Sequence, residues 1–431
     1  MNKKNVKALL KLARELGHED VVPDYAPEQA DPMVWDMLQR PQEPKWDKDG
    51  NLKTPIIPPT NRINTSIILD NDPFFKIEYN EHSDQLLWNE KMIGDPDLEQ
   101  IALELEKRYR YRIGERALLL GCWRAGAMNQ VEPIKEWLEA LEWDGKPRIE
   151  RFLVEIMKVD VPQGAEKLID TMSKCWFISC AARIIDPGSK VDTCLTLVGP
   201  KGCYKSTALR MLCGGEWFSD SLLNISKKEA YELIHQSGVW IWELAELHAL
   251  QGKTADNAKQ FLSSAVDRYR PSYARMPVER KRRTVFVAST NNFQFLSDGP
   301  ERRFWPVKIT EKIDTQYIED NREQLWAEAV HLYKSKGVPH HLPADLEEPL
   351  EHYQQSYIID DPWTYQVLQA LTSQNNTTSE IMNFLKLDVS QQHTGNARRI
   401  AQICRDNSYE QKIKVEGKST IRYWQKTQGG K

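Results

Sequence analysis

The segment "LTLVGPKGCYKSTAL", residues 195–209, begins with an apolar run of strand length. A glycine-containing stretch follows this run and leads to a lysine and a serine. This order is typical of a phosphate-binding loop, in which backbone N–H groups cradle phosphate oxygens at a helix start. Lys205 would reach the β- and γ-phosphates, and the Ser206 hydroxyl would ligate Mg²⁺. The predicted nucleotide-binding residues are therefore Gly199, Pro200, Lys201, Gly202, Cys203, Tyr204, Lys205, Ser206 and Thr207.

Tyr204 stands where the usual pattern, G-x-x-x-x-G-K-[ST], has a glycine. Gly202, two residues earlier, can supply the flexibility that lets the loop close. A positive φ at position 204 would be costly for tyrosine because of its Cβ atom. The alternative interpretation is a chance match to the pattern between an ordinary strand and an ordinary helix.

Two further apolar runs end in polar side chains that suit the same chemistry. "GVWIWELAEL", residues 238–247, delivers Glu243 at a strand end, with Glu246 three residues on. One glutamate could hold the Mg²⁺ water shell together with Ser206, and the other could orient an attacking water. "RTVFVASTNN" places Asn291 after another strand, where its amide could contact a γ-phosphate or that water. Solvated glutamates and an asparagine-rich turn are the alternatives.

Paired arginines follow in "DGPERRFWPVKI". A guanidinium stabilises the charge that spreads over a transferred phosphoryl group, often from a neighbouring subunit. We therefore predict a catalytic role for Arg302 or Arg303, the alternative being two solvated side chains.

A strongly basic insert, "RYRPSYARMPVERKRR", spans residues 268–283. Seven basic residues against one acid give a net charge of 7 − 1 = +6, and two tyrosines interleave with them. Cations beside aromatic rings suit the backbone and bases of single-stranded nucleic acid, whereas the alternative is a solvated face. The predicted DNA-contacting residues are Arg268, Arg270, Tyr273, Arg275, Arg280, Lys281, Arg282 and Arg283.

The elements that must position these residues alternate between strands and helices over about residues 165–310. That alternation predicts an α/β layer with a mostly parallel sheet. We expect four parts: an N-terminal helix and proline-rich arm, a mixed α+β region that opens with a hairpin, the nucleotide-binding core, and a C-terminal winged-helix-like module. Their expected bounds are 1–62, 63–160, 161–345 and 346–431.

Composition narrows the classes of protein that this chain can be. The 431 residues carry a net charge of −4, and the seven cysteines form no C-x-x-C pair. We therefore expect no zinc site and no disulfide framework. A signal-peptide core and a run of eighteen apolar residues are both missing from the sequence, so we expect a cytoplasmic protein.

The motifs together, in this order, resemble superfamily 3 helicases. In detail, "WDGKPRIERFL", "GVWIWELAEL", "DRYRPSYAR", "ASTNN" and "ERRFWPV" are similar to the virulence-associated E family of phages and mobile islands. The resemblance implies a P-loop, AAA+-like superfamily 3 helicase core that uses ATP and Mg²⁺. By it Glu243 and Glu246 are the acidic pair, Asn291 is the sensor, and Arg302 or Arg303 is the arginine finger. It also implies that residues 268–283 contact DNA.

We therefore expect an ATP-dependent DNA helicase or replication initiator that works as a homo-oligomeric ring, a hexamer, on single-stranded DNA. Family members commonly carry a primase domain upstream. The segment before residue 60 is too short to hold one, so priming would need a separate primase. A DNA-binding replication scaffold whose ATPase has decayed at Tyr204 is the alternative. A small-molecule P-loop kinase is disfavoured, because it needs no basic insert.

Overall fold

The computed structural model of the chain describes residues 29–39, 58–225, 227–245, 259–272, 276–296, 299–335, 338–359, 361–373, 376–416 and 419–427. The chain divides into two compact units. The first comprises residues 1–291 and 302–350, and the second comprises residues 292–301 and 351–431. The four-part division expected from the sequence stays a prediction. Within the described residues, no helix is both long and apolar enough to cross a membrane.

The first unit begins with a small mixed sheet flanked by helices. Its sheet has the order β3-β2-β1-β4, in which β1 pairs antiparallel with β2 and parallel with β4. The hairpin expected at the start of the mixed region is present, because the antiparallel strands β1 and β2 are joined by a turn in which Asn80 Oδ1 accepts from the His82 and Ser83 amides. The elements are α1 (Pro32–Met37), α2 (Arg62–Asn71), β1 (Ile77–Asn80), β2 (Gln85–Trp88), β3 (Lys91–Met92), α3 (Asp95–Tyr109), α4 (Glu115–Met128), β4 (Gln130–Val131) and α5 (Pro133–Ala140).

A five-stranded parallel sheet forms the centre of the first unit, as the alternating pattern predicts. Its order is β11-β5-β10-β7-β6, and each neighbouring pair is parallel. The two central strands β5 and β10 are buried at every residue, as expected for strands covered on both faces. These elements are α6 (Phe152–Glu155), α7 (Glu166–Ile185), β5 (Cys194–Val198), α8 (Lys205–Cys213), β6 (Phe218–Ser219), α9 (Glu229–Gln236), β7 (Ile241–Ala245), β10 (Val285–Thr290), β11 (Phe304–Lys308) and α10 (Thr315–Lys334).

Aromatic packing fixes α7 and α10 against this sheet. The Trp326 ring of α10 lies 4.3 Å from the Trp240 ring and 5.1 Å from the Phe177 ring of α7, between ring centroids. All three side chains are almost completely buried. Large buried rings of this kind contribute much of the free energy of core formation. The packing of Trp326 on Trp240 therefore stabilises the position of β7, the strand that carries Glu243. A separate two-stranded hairpin, β8 (Val266–Tyr269) and β9 (Val278–Lys281), precedes β10.

The second unit contains helices and a long antiparallel hairpin. Its core includes Ile381, Ile400 and Trp424, all buried. The elements are α11 (Glu347–Gln354), α12 (Thr364–Thr372), α13 (Thr378–Phe384), α14 (Thr394–Asp406), β12 (Tyr409–Glu416) and β13 (Ser419–Lys426), of which α11 begins at the end of the first unit. A helical group followed by a hairpin is the arrangement that the sequence pattern suggested, and the winged-helix assignment stays a prediction.

Candidate functional site

The loop between β5 and α8 brings Lys205 back over its own backbone. The Lys205 ammonium donates to the Gly199 carbonyl at 2.7 Å and to the Pro200 carbonyl at 2.9 Å. It also lies 3.3 Å from Asn291 Oδ1, to which it donates. Gly199 has no room for a side chain, because an added Cβ would lie 2.8 Å from the Ile309 carbonyl oxygen. The loop is thus a tight turn, and its half-buried Lys205 ammonium faces the first residue after β10.

Tyr204 takes the left-handed conformation that its position demands. Its φ is 69° and its ψ is 27°, and it is the residue immediately before α8. A non-glycine residue in this region carries a penalty of about 1–2 kcal/mol, because its Cβ crowds the following carbonyl. The side chain is 44% exposed, and the Lys312 ammonium lies 5.7 Å from its ring centroid. The backbone therefore keeps the geometry of a glycine in spite of the substitution.

Ser206 and Glu243 meet across the loop. The Ser206 hydroxyl donates to Glu243 Oε1 at 2.9 Å, and the glutamate is only 2% exposed. Glu243 Oε2 is buried and has no hydrogen-bond partner among the described residues. A buried polar atom without a partner costs free energy unless another group satisfies it. Hydroxyl and carboxylate oxygens are the ligands that Mg²⁺ prefers, and it needs only one or two from the protein. The pair therefore fits a magnesium ion.

The sheet register explains why Asn291 joins this group. Thr290 at the end of β10 pairs with Val198 at the end of β5, and Asn291 follows directly. Both carboxyl ends thus open at the same edge of the sheet, where ligands bind in open α/β folds. The structure brings together Lys205, Ser206, Glu243 and Asn291, as the sequence predicted. We refer to these four residues as the Lys205 group. Glu246 lies outside the described residues, and its role stays a prediction.

The paired arginines lie at the other edge of the sheet. Phe304, the first residue of β11, pairs with Cys194, the first residue of β5, whereas the phosphate loop follows the last residue. A strand of this length separates the two edges by about 13 Å at 3.3 Å per residue. Arg302 and Arg303 are therefore not part of the Lys205 group within one chain. Arg302 bonds to Asp192 at 2.9 Å, and Arg303 donates to the Ser263 hydroxyl at 2.9 Å.

Arg282 of the basic insert is buried, which corrects the prediction that it contacts DNA. Its side chain is 0% exposed and donates to both carboxylate oxygens of Asp267, at 2.6 and 2.9 Å. His235 also bonds to Asp267, at 3.0 Å. Burial by itself would raise the pKa of Asp267, but the hydrogen bonds from His235 and Arg282 outweigh it and bring the pKa to about 2. This cluster is structural, since a guanidinium without solvent access cannot meet a phosphate.

Two further arginines of the insert form ion pairs with acidic residues beside the small N-terminal sheet. Arg280 forms an ion pair with Asp84 at 2.6 Å, and Arg283 pairs with Glu81 at 2.7 Å and with Glu132 at 2.8 Å. Their charges are thus compensated within the chain, which corrects the expectation of a free basic surface at these two positions.

The remaining cations of the insert that the structure describes are exposed. Arg268 pairs with Glu279 at the surface, and both Arg270 and Lys281 are exposed. Tyr273 and Arg275 lie outside the described residues. A DNA contact by the insert therefore stays a prediction for these outer positions only.

Sequence reasoning missed the partners of these arginines. Asp84 is 196 residues from Arg280 and Glu81 is 202 residues from Arg283. Asp192, the partner of Arg302, was missed as well. A lone carboxylate in a turn gives no signal in a single sequence, whereas the charge excess of residues 268–283 does. The charge excess therefore indicates the basic partners of these ion pairs from the sequence, whereas the acidic partners can be identified only from the folded structure.

Comparison with known proteins gives one family match. The model described as the virulence-associated protein E-like domain matches residues 138–358, which contain the Lys205 group and both arginines. No curated protein matches the chain significantly.

Three apo structures of the C-terminal region of NrS-1 are similar to the chain at low identity. They are 12, 13 and 14% identical, with TM-scores of 0.44, 0.43 and 0.42. The alignments cover 80, 80 and 84% of this chain and 95, 95 and 98% of those structures.

Proposed function

Because the chain belongs to the virulence-associated protein E-like family, we propose that it is an ATP-dependent DNA helicase or replication initiator of a phage or mobile genetic element. The observation that carries the proposal is the hydrogen bond between Ser206 and the buried Glu243, beside Lys205 and Asn291. Serine after a loop lysine, facing a strand carboxylate, is the arrangement that P-loop nucleotide hydrolases use.

Each residue of the group has a distinct task in this proposal. The Lys205 ammonium exchanges its bonds to the Gly199 and Pro200 carbonyls for bonds to phosphate oxygens. Ser206 and Glu243 hold Mg²⁺, which when bound neutralises charge on the β- and γ-phosphates. Asn291 fixes the position of Lys205 and offers an amide to the terminal phosphate. Glu246 is the proposed second acid, which orients the attacking water.

The position of the arginines supports a ring of several copies. Arg302 is 58% exposed at the edge of the sheet opposite the phosphate loop. A guanidinium at that edge cannot reach the nucleotide of its own chain, but it can reach the nucleotide of a neighbour that stacks edge to edge. We propose a homo-oligomer, a hexamer, in which Arg302 or Arg303 acts in trans, with DNA as the partner and a separate primase supplying primers.

The decisive experiment is ATP hydrolysis by the full chain with and without single-stranded DNA. Lys205→Ala should abolish hydrolysis, because the phosphates lose the loop cation, and Lys334→Ala, an exposed helix lysine paired with Glu139, is the matched control. We expect stimulation by DNA in the parent and control proteins. Hydrolysis at the parent rate in Lys205→Ala would contradict the site.

The left-handed Tyr204 favours one second candidate, a DNA-binding replication scaffold with weak or lost ATPase activity. The left-handed conformation of Tyr204 costs free energy in the loop that would hold the nucleotide. Absence of any DNA-stimulated hydrolysis, together with DNA binding that does not respond to nucleotide, would favour this candidate over the helicase.

A further inference from the structure

A cleft of about 650 Å³ lies between α2 and α4, and none of the described residues that line it belongs to the phosphate loop. Its lining contains three arginines, Arg62, Arg116 and Arg124, together with the apolar side chains of Ile113 and Leu120. No aspartate or glutamate is among the described residues that line it. We refer to it as the α2–α4 cleft, a site with a basic rim and an apolar floor.

Two features of the sequence form this cleft, a row of residues on one face of α4 and a glycine in the same helix. Arg116, Leu120 and Arg124 are spaced by four residues, so they lie on one face of α4. Gly121 lets α2 approach closely, because an added Cβ would lie 2.6 Å from a methyl carbon of Thr65. The two helices therefore pack side by side, and the arginine stripe borders the groove between them.

The charges in the cleft are poorly compensated by the chain itself. Arg124 pairs with Asp70, and among the described residues neither Arg62 nor Arg116 forms an ion pair. Both lie in the first turn of a helix, where the positive end of the helix dipole disfavours a cation. Glu115 offsets this only for α4, because the first turn of α2 holds no acidic residue. An anionic ligand would relieve the repulsion.

We propose that the α2–α4 cleft binds the phosphate backbone of single-stranded DNA. Arg116 and Arg124 are eight residues apart, which is about 12 Å along a helix and spans more than one phosphate of a strand. Trp123, which precedes Arg124 in α4, is not part of the cleft lining, and its ring lies 5.7 Å from the Tyr79 ring between centroids. It is 41% exposed, so it still offers a surface on which a base can stack. Leu120 is 56% exposed and adds apolar contact. This surface is distinct from the β8–β9 hairpin, whose inner arginines are paired within the chain, and it does not depend on ATP hydrolysis.

The first test is binding of a fluorescent oligothymidylate to the full chain without nucleotide, between about 50 and 200 mM salt. The double variant Arg62→Ala/Arg116→Ala should bind at least about tenfold more weakly, and its log–log salt slope should fall by about 1.4, that is about 0.7 for each lost contact. The control Lys107→Ala/Arg112→Ala removes two cations of the same region that already pair with Glu104 and Glu106. It should bind like the parent.

Equal affinity and slope in the two double variants would overturn the proposal. All four side chains lie at the surface, and equal thermal unfolding of the variants checks that the fold is kept. Polyglutamate that displaces the strand as well as unlabelled DNA does, at equal charge, would mean that the cleft takes an acidic peptide and would also overturn it.

A second test locates the contact directly. Oligonucleotides that carry 5-iododeoxyuridine form photochemical bonds to adjacent aromatic side chains, and peptide mapping should find the adduct on Trp123. Adducts confined to the β8–β9 hairpin or to the second unit would place the strand elsewhere. The Lys205→Ala protein, which tests hydrolysis, should give the same adduct, so the two proposals fail independently.

Discussion

Arg302 is tied to Asp192 of its own chain by a 2.9 Å ion pair at the edge of the sheet that lies opposite the phosphate loop. The carboxylate is 13% exposed, whereas the guanidinium is 58% exposed. Asp192 thus fixes the direction of an arginine whose tip remains open to solvent. This geometry suits the proposed role of Arg302 in the site of a neighbouring copy.

Arg302→Ala should keep nucleotide binding and lose turnover, because in the proposed ring the change removes a charge from the neighbour's site and none from its own. Binding is measured with a fluorescent ATP analogue and turnover by phosphate release. A mixture with Lys205→Ala protein should regain partial activity, since each variant lacks a different half of the shared site. Normal turnover in both Arg302→Ala and Arg303→Ala would contradict the finger assignment. Failure of every mixture despite demonstrated subunit exchange would contradict action in trans.

Ser206→Ala and Glu243→Gln should be strongly coupled, because the two side chains share one hydrogen bond and one proposed metal ion. Glu243→Gln should still bind nucleotide while hydrolysis falls by about a hundredfold or more. The double variant should be little worse than Glu243→Gln alone. The measurement is the hydrolysis rate against Mg²⁺ concentration for the three variants. Additive losses would mean that the residues act separately.

Arg282→Ala should lower stability rather than DNA affinity. Removing the guanidinium leaves the Asp267 carboxylate buried with only His235 and Ser264 as its remaining described side-chain hydrogen-bond partners, and breaking a buried pair costs about 3–5 kcal/mol. Chemical denaturation gives the free energy of unfolding, and Arg268→Ala, which breaks only an exposed pair, is the control. A stable Arg282→Ala protein with weakened DNA binding would restore the original assignment.

How far the sequence predicts this structure depends on whether the interaction is local. The strand–loop–helix around Lys205 is predictable, since the apolar run, the glycines and the Lys-Ser pair are contiguous. The meeting of Ser206 with Glu243 also follows, because parallel strands place their carboxyl ends at one edge. The sequence alone does not reveal which cations of residues 268–283 are buried, because burial of Arg282 depends on how β8 and β9 pack against His235.

Tyr204→Gly should preserve hydrolysis and raise stability slightly. Glycine removes about 1–2 kcal/mol of left-handed strain but adds about 0.5–1 kcal/mol of unfolded-state entropy. Tyr204→Ala is the matched control, because it removes the ring and keeps the Cβ atom at a φ of 69°. Thermal unfolding and hydrolysis are measured for both. Loss of hydrolysis in both variants would assign the ring a functional role, in which the nearby Lys312 is the first residue to test.

His82 should make the contact between the β1–β2 turn and the central sheet sensitive to acid. Burial, reinforced by the neighbouring Arg283, lowers the pKa of His82 to about 3, whereas an unfolded histidine has a pKa of about 6.5. The folded state therefore favours neutral His82. The free energy of unfolding is not reduced by this residue above about pH 6.5, and it falls as the pH drops below that value because the unfolded state then binds a proton that the folded state does not. At pH 5 the loss should approach 2 kcal/mol, at about 1.4 kcal/mol per pH unit. Asp267, with a pKa of about 2, stays ionised throughout this window and contributes no slope. His82→Gln should flatten the dependence of the unfolding free energy on pH between about 6.5 and 5, and a variant with the parent slope would assign that slope to another group.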